Sequence, residues 1–233
     1  MVSVLEKKRS RISLDGNGHD SANVNKQSLV IAAPNFKTVA FLIVGTSPYV
    51  QHKFSEKAKA MMRASQLAGS TGKQAKKIRQ PKDFKACYEG AMYRPADGDW
   101  YAIPATSIKA AMISACRLVD FKMTHGKECF QILADGYDSD EHMPLIRMTK
   151  GKPKVFEQAL RNSNGGADLR VRPLWEAGWE AIVRIRIDND IFTVQDAANL
   201  LMRAGMQVGI GEGREASRKC SGIGWGAFCI KES

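Results

Sequence analysis

The groups in this sequence that can do acid–base or metal chemistry are few and scattered. It holds 4 histidines, His19, His52, His125 and His142, and no two fall at a spacing that would pair them. The 5 cysteines (Cys87, Cys116, Cys129, Cys220, Cys229) form no CxxC pair, which argues against a zinc site or a disulfide framework. Asp135, Asp138, Asp140 and Glu141 make one local carboxylate cluster, able in principle to attract a divalent ion, but its spacing is not that of an EF-hand loop. The strongest signal is a binding signal. From Gly209 to Gly226, six glycines (Gly209, Gly211, Gly213, Gly222, Gly224, Gly226) alternate with Arg214, Arg218 and Lys219. Glycine lets a backbone take positive φ and come close to a ligand, and the cations suit an extended polyanion. Phosphate binding is the chemistry that fits.

Charge points the same way. The 233 residues carry a formal net charge of +11, with 44% apolar and 25% charged residues, as in a folded soluble chain. Between Gln51 and Lys85 there are ten Lys or Arg against Glu56 and Asp83, an excess of eight. That concentration predicts a nucleic-acid-facing lobe, with Lys53, Lys57, Arg63, Lys73, Lys76 and Lys77 as phosphate contacts. No run reaches the roughly 18 apolar residues of a membrane span and no signal peptide opens the chain, so no membrane partner and a reducing cytoplasm are expected.

The elements that must position these residues follow from periodicity. Residues 1–36 are mostly polar, with a basic patch at Lys7, Lys8, Arg9 and Arg11, and read as a mobile arm before a domain spanning 37–233. Lys37 to Gly45 reads as a central strand covered on both faces. Ser55 to Leu67 reads as a helix with Ala58, Met61, Met62 and Ser65 on one side. Trp100 to Ile103 reads as a short strand and Thr106 to Phe121 as a helix. That helix carries a buried stripe of Ile108, Ala111, Met112, Ala115, Leu118 and Val119. Met143 to Met148 is a further strand, and 151–167 an exposed connection. Leu169–Trp175 and Trp179–Ile187 are expected to form a hairpin around Glu176-Ala177-Gly178. In its second arm Ala181, Val183, Ile185 and Ile187 alternate with Ile182, Arg184, Arg186 and Asp188. Arg170, Arg172, Arg184 and Arg186 are then a candidate basic ladder on an open face. Thr193 with Asp196 three residues on resembles a capping box, Asp standing for the usual Glu, before the apolar face Val194, Ala197, Ala198, Leu201, Met202 and Gly205. A short strand closes the chain after Trp225. This order predicts an α+β fold: a ferredoxin-like or RNA-recognition-motif-like antiparallel sheet with helices on one face and inserted basic lobes at about 51–98 and 149–168. The aromatic signature of a true RNA-recognition motif is missing.

Two segments carry a family resemblance. Ile103-Pro104-Ala105-Thr106-Ser107-Ile108-Lys109-Ala110-Ala111 resembles the strand-to-helix entry of the RAMP superfamily, the ferredoxin-like RNA-binding proteins that build CRISPR effector backbones. Val208-Gly209-Ile210-Gly211, Arg214 and Gly222-Ile223-Gly224-Trp225-Gly226-Ala227-Phe228 resemble that superfamily's carboxy-terminal glycine-rich loop and closing strand. Ala110 stands where the family pattern has glycine. The resemblance implies subunits that stack along single-stranded RNA, so RNA, further copies of the chain and other CRISPR-like effector subunits are the implied partners. It also implies phosphate contacts at Ser47, Ser107, Lys109, Gly209, Gly211, Gly213, Arg214, Arg218 and Lys219.

Family members that cut target RNA carry an aspartate in the loop after the first strand, and Gly45 to Phe54 contains no carboxylate. A non-catalytic binder, with no cofactor and no metal, is therefore the expectation. Three alternatives stand beside it. One is a phage single-stranded DNA-binding or recombination protein on the same fold. Another is a ribonuclease using His52 or the acidic cluster, and the last an assembly protein whose basic surface meets an acidic partner.

Overall fold

The computed structural model describes residues 32–54, 56–67, 82–161, 167–217 and 222–231, with the backbone alone at 56–58, 160 and 161. The chain divides into two units, 1–33 and 34–233, and almost all described residues belong to the second. The expected arm therefore lies largely outside the described residues. In chain order the strands and helices are β1 (Phe36–Gly45), β2 (Tyr49–Val50), α1 (Glu56–Leu67), α2 (Phe84–Glu89), β3 (Ala102–Pro104), α3 (Ala105–Ala115) and α4 (Met123–Cys129). There follow β4 (Phe130–Leu133), β5 (Gly136–Tyr137), β6 (Pro144–Lys150), β7 (Lys154–Arg161), β8 (Ala167–Trp175), β9 (Glu180–Asp188), α5 (Val194–Arg203) and β10 (Phe228–Ile230).

Alternation along β9 builds the core. Ala181, Val183, Ile185 and Ile187 are all fully buried, whereas Arg184 is exposed and Ile182, Arg186 and Asp188 are half-buried. A period of two puts one set under the helices and leaves the other on an open face. Each large apolar side chain so buried contributes about 1.5–3 kcal/mol. Strand β1 pairs with β9 along its whole length, Val39 opposite Ile185 and Ile43 opposite Ala181, and with β10 at its end. Strand β4 pairs with the far half of β9, from Phe130 opposite Ile187 to Leu133 opposite Arg184. The order β10-β1-β9-β4, with α3 and α5 as crossovers, is the ferredoxin-like arrangement, and the fold is α+β with an antiparallel sheet. Where β4 ends, β6 takes over the edge of β9 and carries β3 and β5. A separate small sheet, β2-β8-β7, stands beside this one.

The helices bury the faces their spacing predicts. Ile108, Ala111, Met112 and Ala115 of α3 are buried with Ala197, Leu200 and Leu201 of α5. Thr193 and Asp196 make both bonds of the capping box, with the Thr193 amide donating to Asp196 Oδ2 (3.0 Å) and the Asp196 amide to Thr193 Oγ1 (3.1 Å). A π-helical turn, Ala204–Val208, then carries the chain into the glycine loop.

Several expectations are corrected. Strand β1 is central but covered on one face, for Thr38 and Ala40 are exposed. The stripe on α3 stops at Ala115: the chain tightens into a 3₁₀ turn, Cys116–Val119, and Leu118 and Val119 come to the surface. Strands β8 and β9 are consecutive but do not pair with each other. The hairpin partner of β8 is β7, from Lys154 opposite Leu174 to Arg161 opposite Ala167, so the expected connection at 151–167 is largely a strand. The four arginines consequently sit on two sheets. Arg184 pairs with Asp135, and Arg186 bonds Gln131 while its guanidinium lies 4.8 Å from the Phe36 ring centroid. Arg170 and Arg172 instead face Glu212.

Candidate nucleic-acid interface

The α3 entry and the first arm of the glycine loop, Val208 to Arg214, line one groove. Its volume is about 690 Å³, and Pro104, Thr106, Ser107, Ala110, Ala111 and Ser114 form one wall. Val208 to Arg214 and Ser217 form the other, and Tyr49, Gln51, His52, Tyr93 and Arg170 line the remainder. The first turn of α3 opens onto this space. Pro104 occupies its N-cap and supplies no side-chain bond, so the leading amides and the positive end of the helix dipole have no side-chain acceptor. Small side chains at Ser107, Ala110 and Ser114 keep the wall low. The arrangement favours an anion.

The glycine loop is shaped mainly by its own packing. Gly213 has φ +73, and a Cβ there would meet the Trp225 ring at 2.5 Å. The amides of Gly209, Ile210 and Glu212 donate to Ala204 O (2.9 Å), Gly226 O (3.0 Å) and Val50 O (2.9 Å). At those three positions the amides hold the fold and have no hydrogen left to give a phosphate. Cationic side chains carry the electrostatics instead. Arg214 is exposed at the rim, its Nη1 donating to Gly211 O (3.1 Å). Arg172 Nε donates to Glu212 Oε2 at 3.0 Å, and Arg170 stands 3.7 Å from the other oxygen. Among the lining residues Glu212 is the one carboxylate. His52 is exposed overall, yet desolvation within the groove and, after it, the nearby Arg172 hold its pKa below the usual imidazole range.

Of the expected contacts, Ser107, Gly209, Gly211, Gly213 and Arg214 lie on the groove. Ser47 does not line it: its Oγ accepts the Ala227 amide (2.9 Å) and its carbonyl accepts Trp179 Nε1 (3.1 Å), which fixes the entry to β10. Lys109 is half-buried on α3 beyond the groove lining, and Arg63 is exposed on α1. The α1 backbone includes Lys57. Lys73, Lys76, Lys77, Arg218 and Lys219 lie outside the described residues.

Lys53 is a correction. Its side chain is 4% exposed, and its Nζ donates to Asp138 Oδ2 (2.7 Å) and Asp140 Oδ2 (2.6 Å). A buried ammonium needs such partners, so the cation is committed to holding two loops together. Burial alone would lower the Lys53 pKa, but the two carboxylate bonds outweigh it and the net shift is upward. The acidic cluster thus takes an internal lysine where a divalent ion was considered. Among the described residues no three His, Cys, Asp or Glu side chains group as metal ligands. Lys59 pairs with Glu141 and Lys82 with Asp168, so the cationic segment is partly neutralised from elsewhere in the chain.

Sequence reasoning missed Gln51. Its Nε2 donates to Tyr49 Oη (3.0 Å) and Ala102 O (2.9 Å), and its Oε1 accepts the Tyr93 amide (3.0 Å). No local pattern marks a buried glutamine. Glu212 was legible as the carboxylate set between Gly211 and Gly213.

No family model matches the sequence, and no curated protein matches it. Matches extend to 28 chains of solved structures. One is a chain in the cryo-EM structure of the Type III-B Cmr-beta bound to cognate target RNA, at 10% identity and a TM-score of 0.48. The alignment covers 84% of this chain and 59% of that one. At that level the likeness carries no functional inference. No described helix is long and apolar enough to cross a membrane.

Proposed function

We propose that the protein binds single-stranded nucleic acid, RNA first, through the groove between the α3 entry and the glycine loop, and that it holds the strand without cutting it. The observation that supports this most is the meeting of the α3 entry and the first arm of the glycine loop in one groove, with an uncapped helix start and Arg170 and Arg214 lining it. Phosphates would supply the affinity, largely without regard to sequence. Copies of the chain would stack along the strand in a RAMP-like assembly, alone or with other effector subunits. Among the described residues no carboxylate hydrogen-bonds the groove's one histidine, and the groove's one carboxylate is engaged by two arginines. That suits holding better than proton transfer.

Fluorescence anisotropy with labelled single-stranded RNA tests the reading. Affinity should fall steeply with salt, and binding unchanged between about 50 and 500 mM would sink it. The pair Arg170→Ala and Arg214→Ala should flatten the log–log salt slope by about 1.4, the release expected for two phosphates of a single strand. Glu212→Gln should act oppositely. Freed of their internal carboxylate, Arg170 and Arg172 become available to phosphate, and affinity should rise several-fold with a steeper slope. A loss of affinity in that variant would mean Glu212 positions the arginines productively. Single-stranded DNA of the same sequence separates the two strand chemistries, since a 2′-hydroxyl contact favours RNA.

A further inference from the structure

The segment after β2 alternates in an unusual way. Gln51 and Lys53 are 2% and 5% exposed, whereas His52 and Phe54 between and beyond them are open to solvent. Polar and charged residues point inward and aromatic rings outward, the reverse of what water selects. The inward pair is bound firmly. Gln51 bridges Tyr49, Ala102 and Tyr93, Lys53 is clamped by Asp138 and Asp140, and both backbone amides donate across loops, to Pro173 O (3.2 Å) and Ala91 O (3.0 Å). The outward pair is thereby presented rigidly. Phe54 is 58% exposed and its ring centroid lies 5.4 Å from that of His52, at an interplanar angle of 47°. His52 lines the groove with Tyr93 and Arg170, and the Phe54 ring lies against it on the solvent side.

We propose that Phe54 and His52 are a stacking platform for a nucleobase, so that the groove takes a strand whose bases are unpaired. This rests on the nucleic-acid reading above and adds how the site would tell single strands from duplex. The chemistry is specific to the place: rings flanked by cations suit a base with its phosphate, because every base offers a π-face whatever the sequence. A base already paired and stacked in a duplex has no free face to give. His52 being held toward its neutral form leaves the ring free of a charge that stacking would have to desolvate.

The test uses a short single-stranded RNA carrying 2-aminopurine, read by anisotropy for binding and by fluorescence quenching for stacking. With the wild-type protein the probe should bind and be quenched. Phe54→Ala should lose the quenching and weaken binding about 5- to 100-fold, while Phe54→Tyr keeps both. An unchanged melting midpoint shows that Phe54→Ala still folds, as its exposure predicts. His52→Ala should lower the quenching independently, and a duplex of the same sequence should compete poorly. Binding and quenching by Phe54→Ala equal to wild type, or duplex competing as well as single strand, would overturn the platform and leave the groove reading intact. No binding of any strand by the wild-type protein would remove both.

Discussion

Asp138→Ala is expected to cost about 3–5 kcal/mol of folding stability, read as a lowered denaturant midpoint. Asp138 is wholly buried and gathers several donors at once. Its Oδ2 accepts Lys53 Nζ at 2.7 Å and the Glu141 amide at 2.9 Å, and its Oδ1 accepts the Arg94 amide at 3.0 Å. Removing it leaves the Lys53 ammonium buried with only the half-exposed Asp140, and strands three amides, those of Arg94, Asp140 and Glu141. Lys53→Met added to Asp138→Ala should recover part of the loss, because the stranded charge is gone while the amides remain unsatisfied. A single variant within about 1 kcal/mol of wild type would show that the pair is only a surface contact.

The pH profile gives an independent reading of the same pair. Burial pushes the Asp138 carboxyl up, but the Lys53 bond and the amides of Glu141 and Arg94 outweigh it and its pKa lies below the ordinary value. Its contribution is therefore present above the usual carboxylate range, about pH 4, and is lost as pH falls through the depressed value. For Lys53, shifted upward, the contribution is present below about pH 10 and is lost as pH rises through the raised value. Thermal melts should show wild type losing more stability on acidification than the double variant.

Lys53 also shows where sequence reading reaches its limit. The excess of cations at 51–85 and the acidic cluster at 135–141 were each plain from composition. That one takes up charge of the other depends on a contact 85 residues apart, which no local pattern encodes. Alternation along β9, the Thr193 capping box and the α3 face to Ala115 were legible because burial imposes a period within one element. The β8–β9 link was misread for a related reason. Gly178, at φ +91, marks a reversal, but a turn fixes direction and leaves open which strands pair. Both strands alternate with period two, and that pattern is the same in either sheet. The groove was legible only as two halves, since their meeting across the crossover helix is a property of the ferredoxin-like order.

Gly226→Ala is expected to lower stability by about 3–5 kcal/mol and to abolish strand binding together. The two effects share a cause. Gly226 sits at φ +68, where an alanine pays backbone strain, and its added Cβ would overlap the Ile210 carbonyl oxygen in the facing arm of the loop. Neither neighbour can yield easily. The Gly226 amide donates to Pro48 O (2.7 Å) and its carbonyl accepts the Ile210 amide (3.0 Å), so the loop is stitched to the β1–β2 connection at this residue. Prising the arms apart would displace Gly209 to Gly213 from the groove wall and disturb the packing of Phe228, which is fully buried. Gly178→Ala is the matched control. Its φ is also positive, but a Cβ there meets nothing within 4 Å, so it should cost only the strain, about 1–2 kcal/mol, and leave binding unchanged. Equal losses in the two variants would mean that backbone conformation alone sets the cost. A larger loss at Gly226, with binding gone at a temperature where the variant remains folded, would show that the close approach of the two loop arms builds the groove wall.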